Sequence, residues 1–530
     1  MEDVKKVIKG EVDSSSASIL SYSHDASIFT VTPSAVIYPK NVQDLQNLVH
    51  YVTERTAEGA NCSLTARNGG TCMSGGPLTE SYVVDMSRHL NHIGTVDEAQ
   101  KSVWVQGGTM HIDVEAATHP KNLLFAPYTS SRDICGIGGM IGNNASGEKS
   151  VKYGPTSANV GQLKVLLSDG EVYEFGPLTA RQVEQKKQLP TFEGRIYREL
   201  TKLIDDNWHL ITTNHPHTIK NAAGYPLWEL WDAQRSHFNL ARLFVGSQGT
   251  LGIVTEAELK LIPMAKYSRM LVVPIAALHD LVPVVKTAMD HHPVTCETFD
   301  YHTYDLAKQY HPEDAARACI ADGKHMVVIV MFEGDSQQQV DVLAGKAKEA
   351  IENQGREVLW IDDQAVADSF LLIRRKSFRM LLEHPHANMR AMAFLEDTIV
   401  PLDLYAEYLA ALEAILAEYD MTYTYAGHIG DGSIRLVPLV DMEKQGAAEM
   451  VMEVETRVND LVIAMGGSIS VDHNDGIIRT PYLEQLFGQD MYTLLAKTKE
   501  LFDPLNIFNP GKKVGGTYEY ALQHVVRSNS

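Results

Sequence analysis

Two short segments late in the chain hold the side chains best suited to proton and charge chemistry. In GlyHisIleGlyAspGlySerIleArg at 427–435, the tight Gly430-Asp431-Gly432 turn can bring His428 and Arg435 to one point in space. In SerIleSerValAspHisAsnAspGlyIleIleArg at 468–479, Asp472 stands beside His473; within a strand only one could face that point, but at a strand end both can. Histidine is the side chain that exchanges a proton near neutrality. Arginine is always cationic, cannot ligate a metal, and pairs bidentately with carboxylates. Taken alone, His473 reads more readily as a polar loop residue.

Three glycine-rich segments supply a second kind of chemistry. ArgAsnGlyGlyThrCysMetSerGlyGly at 67–76 exposes main-chain N–H groups with few side chains in the way, which suits a pyrophosphate, and Thr71 and Ser74 add hydroxyl donors. One such loop is as readily a plain turn cluster. A second cluster, GlyIleGlyGlyMetIleGlyAsnAsnAlaSerGly at 136–147, implies a ligand long enough to touch both, with Asn143, Asn144 and Ser146 suited to a ring edge or a ribose. The third is GlySerGlnGlyThrLeuGly at 246–252. None has Walker or GxGxxG spacing.

The elements that must position these loops follow from periodicity. Ala35 to Tyr38 reads as a strand, Asn41 as a helix cap, and Leu45, Leu48, Val49 and Val52 as that helix's buried face. A strand from Cys62 to Thr65 runs directly into the first glycine loop, and Ser168-Asp169-Gly170 reads as a hairpin turn. From 268 to about 400 the pattern becomes strand–helix–strand twice over, with strands at Met270–Pro274, Cys296–Phe299, Met326–Phe332 and Val358–Ile361. That predicts an α+β layer in which an antiparallel sheet is covered on one side. The division expected is 1–265, 266–465 and a segment 466–530 that returns to the first domain.

Composition narrows the partners. Lys+Arg number 46 against 67 Asp+Glu, a net charge of 46 − 67 = −21, which excludes a nucleic-acid binder. The five cysteines, Cys62, Cys72, Cys135, Cys296 and Cys319, form no CxxC pair, so no iron–sulfur cluster or zinc ribbon is expected. No transmembrane span or signal peptide is read, giving a cytoplasmic location, compatible with a peripheral place at a membrane.

The ordered motifs, with LysTyrGly at 152–154 and AsnProGlyLys at 509–512, resemble the FAD-linked oxidase family of the vanillyl-alcohol oxidase type. The nearest likeness is the branch that holds the flavin chain of glycolate oxidase, D-lactate dehydrogenase and D-2-hydroxyglutarate dehydrogenase. The resemblance implies a two-subdomain FAD-binding domain and an antiparallel-sheet cap. It implies FAD contacts at Arg67, Asn68, Gly69, Gly70, Thr71, Cys72, Ser74, Gly75, Gly76, Pro127, Ser131, Gly138, Gly139, Asn143, Ser146, Ile253 and Asn509. No histidine lies between 66 and 76, so the FAD is expected to be non-covalent.

In that branch the positions matching His428, Arg435, Asp472 and His473 read His, His, Glu and His, the first three holding a divalent metal and the last acting as base. Here Asp472 shortens the Glu and Arg435 replaces a ligand, leaving His428 and Asp472 as the metal candidates for zinc or manganese, where a catalytic zinc takes about three protein ligands. Arg435 is therefore expected to hold the substrate carboxylate itself. Arg374 matches the family's carboxylate-binding arginine, with a solvated helix charge as its alternative. The expected reaction is oxidation of a D-2-hydroxy acid, with hydride passing to the flavin and His473 taking the hydroxyl proton. Leu395, where diacid-specific relatives carry a lysine, favours a D-lactate-like acid over 2-hydroxyglutarate. A D-2-hydroxyglutarate or glycolate dehydrogenase, an alkyl-glycerone-phosphate-synthase-like transferase and a non-catalytic flavoprotein subunit are the competing readings. Electrons are expected to pass to a separate iron–sulfur protein, electron-transfer flavoprotein or quinone, and a homodimer is a compatible assembly.

Overall fold

A computed structural model of the protein describes residues 3–321, 325–383, 389–419 and 421–527. The first sheet has the order Glu11–Asp13, Ala35–Tyr38, Tyr82–Asp85, Leu64–Arg67, and its last three strands run parallel. Between two of them the helix Val42–Ala57 begins as the sequence predicts, with the Asn41 side chain accepting from the Asp44 N–H at 3.0 Å. Leu45, Leu48, Val49 and Val52 are fully buried against Ile37, Leu64 and Val84. Asp44 does more than follow the cap: its carboxylate accepts the N–H groups of Lys9, Gly10 and Lys40, each at 2.9 Å.

The second sheet is antiparallel, in the order Ser102–Gln106, Ile253–Pro263, Val160–Leu166, Val172–Phe175, with Leu123–Phe125 also on Ile253–Pro263. The hairpin at Ser168-Asp169-Gly170 forms as expected, with Gly170 at φ +82°. Late in the chain, Phe508 pairs with Leu64 and the Asn509 N–H donates to the Leu64 carbonyl at 2.9 Å, so this stretch returns to the first sheet.

The third sheet is eight-stranded and antiparallel, spanning Tyr267 to Asp441. Its central strand, Met326–Gly334, pairs with Tyr267–Ile275 on one side and Thr295–Asp300 on the other. The expectation that this sheet is covered on one side is corrected by the structure, which packs helices on both faces. Leu271, Val273, Val328 and Val330 point into a core with the helices Gln337–Glu352 and Tyr405–Ala417. Met270, Val272, Val327 and Ile329 point the other way, against Tyr301–Tyr310 and Gln364–Arg375. The unbroken apolar run of Met326 to Phe332 is the sequence mark of such two-sided burial, because alternate side chains go to opposite faces.

No helix among the described residues is long and apolar enough to cross a membrane.

Candidate active site

A cavity of about 930 Å³ opens where the three sheets meet. Arg67, Asn68, Gly69, Gly70, Thr71, Cys72, Gly76, Ser131, Gly138, Gly139, Asn143, Ser146 and Ile253 line it, and so do Arg374, His428, Arg435, Asp472 and His473. Ser74, Gly75, Pro127 and Asn509 do not. Ser74 and Asn509 act as braces instead. The Ser74 hydroxyl donates to the His473 carbonyl at 2.8 Å, and the Asn509 amide donates to the carbonyls of Gly76 and Gln248 at 3.0 and 2.7 Å.

Close main-chain packing explains the glycines of the first lining. A Cβ on Gly69 would stand 2.0 Å from the Ile134 carbonyl oxygen, and one on Gly138 would stand 2.4 Å from that of Gly107. Gly139 differs, since a Cβ there meets nothing closer than 4.0 Å and would project into the cavity space. The Arg67 guanidinium donates to the carbonyls of Tyr22 and His24 at 3.1 and 2.6 Å and so ties the N-terminal stretch to the loop. Two residues that lie within the quoted motifs but were given no role there lock the loops together. Gln248 donates to Asn143 Oδ1 at 3.1 Å and accepts the Gly476 N–H at 2.8 Å, while Asn474 donates to the Gly246 and Asn143 carbonyls at 2.9 and 3.1 Å. A volume of this size with glycine-bare walls fits a dinucleotide such as FAD.

The second lining is made of charges. The turn at 430–432 does bring His428 and Arg435 together, with Arg435 Nη2 3.4 Å from His428 Nε2. Arg435 Nη2 also donates to Asp472 Oδ2 at 2.9 Å. His428 Nδ1 lies 2.5 Å from Glu297 Oε1, and Arg374 Nη2 lies 2.8 Å from Glu297 Oε2. Burial pushes the Glu297 carboxyl up, but the charges of His428 and Arg374 outweigh it and leave it below its ordinary value. Burial likewise opposes ionisation of Asp472, yet Lys220, His428 and Arg435 hold it well below the carboxylate range.

His473 Nδ1 is bonded to Glu396 Oε2, and Glu396 Oε1 accepts from Arg479 Nη2 at 2.6 Å. Although burial raises its pKa, His473 and Arg479 hold the Glu396 carboxyl at about 2. Asp397, next in the chain, accepts the main-chain N–H groups of Val471, Asp472 and His473 at 2.8, 2.6 and 2.9 Å. Consecutive strand residues ordinarily face opposite ways. Here a register shift between Leu395 and Thr398, with Asp397 at φ +83°, turns both acids toward the 471–473 loop.

The sequence reading missed Lys220, Glu297, Glu396, Asp397 and Arg479. An acid within the buried strand Thr295–Asp300 is a usable signal for Glu297, and the GluAsp pair at 396–397 is another. Lys220 lies in none of the motifs.

Whether these side chains fit a divalent ion can be tested on their partners. Asp472 Oδ1 is bonded to the Ser146 hydroxyl and lies 3.7 Å from Lys220 Nζ. Arg435 Nη2 already bridges the remaining pair, Asp472 Oδ2 and His428 Nε2, which are 3.7 Å apart. Glu396, Asp397 and His473 also converge, but Arg479 and three main-chain N–H groups hold their oxygens. A divalent ion does not fit either arrangement without displacing a fixed cation.

Residues 33–176 match the family described as FAD binding domain, and residues 264–513 match FAD linked oxidases, C-terminal domain. The chain belongs to the FAD-linked oxidases. It is 30% identical to a D-2-hydroxyglutarate dehydrogenase of Pseudomonas putida over 95% of this chain and 50% of that one, so it spans half the length of that relative. It is 28% identical to the glycolate oxidase subunit GlcD of Bacillus subtilis, covering 94% of this chain and 93% of the other. Among solved structures, the 4-ethylphenol oxidase of Gulosibacter chungangensis superimposes with a TM-score of 0.70 at 16% identity, over 98% of this chain and 97% of that one. That likeness carries the fold alone: an FAD-binding domain of the vanillyl-alcohol oxidase type with an antiparallel-sheet cap.

Proposed function

We propose that the protein is an FAD-dependent dehydrogenase that oxidises a small D-2-hydroxy acid, of the size of D-lactate, to the 2-oxo acid. One observation carries this reading. Arg374 Nε and Arg435 Nε are buried at the cavity without a hydrogen-bond partner among the described residues. Buried guanidinium N–H groups that lack acceptors call for an anion, and a carboxylate matches their planar fork.

FAD would lie along Asn68 to Cys72, Gly138, Gly139 and Asn143, held without a covalent bond. When bound, it supplies the acceptor for the two electrons and the α-hydrogen. Arg374 and Arg435 hold the substrate carboxylate. His473 takes the hydroxyl proton: with Nδ1 committed to Glu396, Nε2 is the ring nitrogen left for it. Glutamate in that place fixes the tautomer, as carboxylate partners of catalytic histidines do.

Substrate size is read from position 395. Leu395 is buried in the sheet core and is absent from the cavity lining, while Glu396 faces it. No cation reaches the cavity from that strand, which favours a monocarboxylate over 2-hydroxyglutarate. Glycolate remains a second substrate of the right size, consistent with the name of the Bacillus relative. We take 1–265 as the FAD domain, 266–465 as the cap and 466–530 as the returning segment.

Anaerobic mixing of the FAD-loaded protein with D- and L-lactate, glycolate and D-2-hydroxyglutarate tests this. Bleaching of the flavin band is expected with the small D-acid first. A flavin that stays oxidised with every acid overturns the reading.

A further inference from the structure

We propose that Lys220 and Arg435 form a built-in cationic centre that takes the electrostatic place of a divalent ion and keeps such an ion out, so that this site works without metal. The two cations approach Asp472 from its two ends. Arg435 bonds Oδ2 at 2.9 Å, and Lys220 stands 3.7 Å from Oδ1 with the Ser146 hydroxyl between them, 2.9 Å from Lys220 Nζ. Lys220 is itself anchored by an ion pair to Asp431, in the turn that separates His428 from Arg435. Its side chain is 3% exposed, so its charge is neither screened by water nor free to swing away.

The arrangement accounts for the unusual chemistry of the set. Arginine at 435 would be a poor replacement for a metal ligand if an ion were still present, because the ion would sit beside two fixed positive charges. With no ion, the same residue neutralises Asp472 through Nη2 and keeps a buried Nε without a partner among the described residues. Lys220 makes this tolerable by sharing the neutralisation of Asp472 and Asp431, and it is why one arginine suffices. His428 fits the same scheme: Nδ1 is committed to Glu297, and Nε2 faces the Arg435 guanidinium rather than an open coordination position.

The role assigned to bound carboxylate rests on the 2-hydroxy-acid reading; the exclusion of metal does not. The test therefore has two readouts. FAD-loaded protein is dialysed against EDTA and its anaerobic bleaching by D-lactate is timed before and after. Separately, Co²⁺ is titrated into the wild type, Arg435→His and Lys220→Met/Arg435→His, following the visible cobalt absorption.

The wild type is expected to bleach at an unchanged rate and to develop no cobalt bands. The double variant is expected to bind Co²⁺ at least about tenfold more tightly than Arg435→His, roughly 1.4 kcal/mol. Stoichiometric cobalt binding by the wild type, or loss of bleaching with EDTA that Co²⁺ restores, overturns the proposal. Equal cobalt affinity in the single and double variants removes Lys220 from it. Flavin absorbance and thermal melting show whether the variants fold; if the double variant does not, the wild-type measurements decide alone. If no acid bleaches the flavin, the substrate reading falls while the cobalt titration still decides this one.

Discussion

The two linings of the cavity are assembled on different terms. The glycine lining, from 67–76 and 136–147, offers main-chain N–H groups and the absence of side chains, and it is braced by neutral hydrogen bonds from Gln248, Asn474 and Asn509. The charged lining, Arg374, Glu396, Arg435, Asp472 and His473, and the buried charges behind it, Lys220, Glu297 and Arg479, come from separate stretches of chain, and each is held by one of the others or by Asp431. A loop that binds through its backbone can lose one contact and keep its shape. A set of buried charges cannot, because removing one member leaves its partners ionised in a poorly solvating place.

The largest test of that contrast is Arg479→Leu. Arg479 is 1% exposed and sits on Glu396 and near Asp397, both fully buried. Its loss is expected to destabilise the fold by about 3–5 kcal/mol, read from denaturant unfolding, since it strands two carboxylates. A shift within about 0.5 kcal/mol, as for an ordinary surface residue, would break the comparison. Next comes His473→Ala, which removes the proposed base and should slow anaerobic flavin reduction roughly 10²–10⁴-fold while flavin content stays normal.

A pH experiment follows. Burial lifts the Glu455 carboxyl to about 8, against the pull of Arg479. Its folded pKa lies above its ordinary value of 4.5, so the folded state keeps a proton that the unfolded chain gives up in that window. The associated stability is complete below pH 4.5 and declines as pH rises to about 8. Glu455→Gln should flatten that decline, a gain on the order of a few kcal/mol at about pH 8–9, and melting curves across roughly pH 5–9 would show it. Identical pH profiles for the two proteins would count against a protonated Glu455.

The smallest expected effect is Gly139→Val on the glycine side. Nothing lies closer than 4.0 Å to its added Cβ, so the fold should melt at its usual temperature while FAD is retained at least about tenfold less well, roughly 1.4 kcal/mol. A variant that melts early instead would show that the glycine lining is as tightly coupled as the charged one.

Legibility in the sequence follows the same divide. The Asn41 cap, the hairpin at 168–170 and the 428–435 turn were readable because each is settled within about ten residues or fewer. The two covered faces of the third sheet were legible only in the unbroken run at 326–332. The Glu396–His473 pair was not, because a register shift in the strand carries Glu396 and Asp397 to the same loop against the usual alternation.

By itself the sequence determined the local devices: glycine loops free of side chains, the caps and turns, and which residue types were available near His428 and His473. Those depend on backbone dihedrals and short periodicities, which neighbouring residues set. Only the tertiary structure decided which charges meet. Ser146 and Asp472, 326 positions apart, share one hydrogen bond, and Lys220 reaches Asp431 across 211 (431 − 220). Such pairings follow from where packed sheets bring distant strand ends together, and a buried charge must find its partner there because water cannot serve in its place.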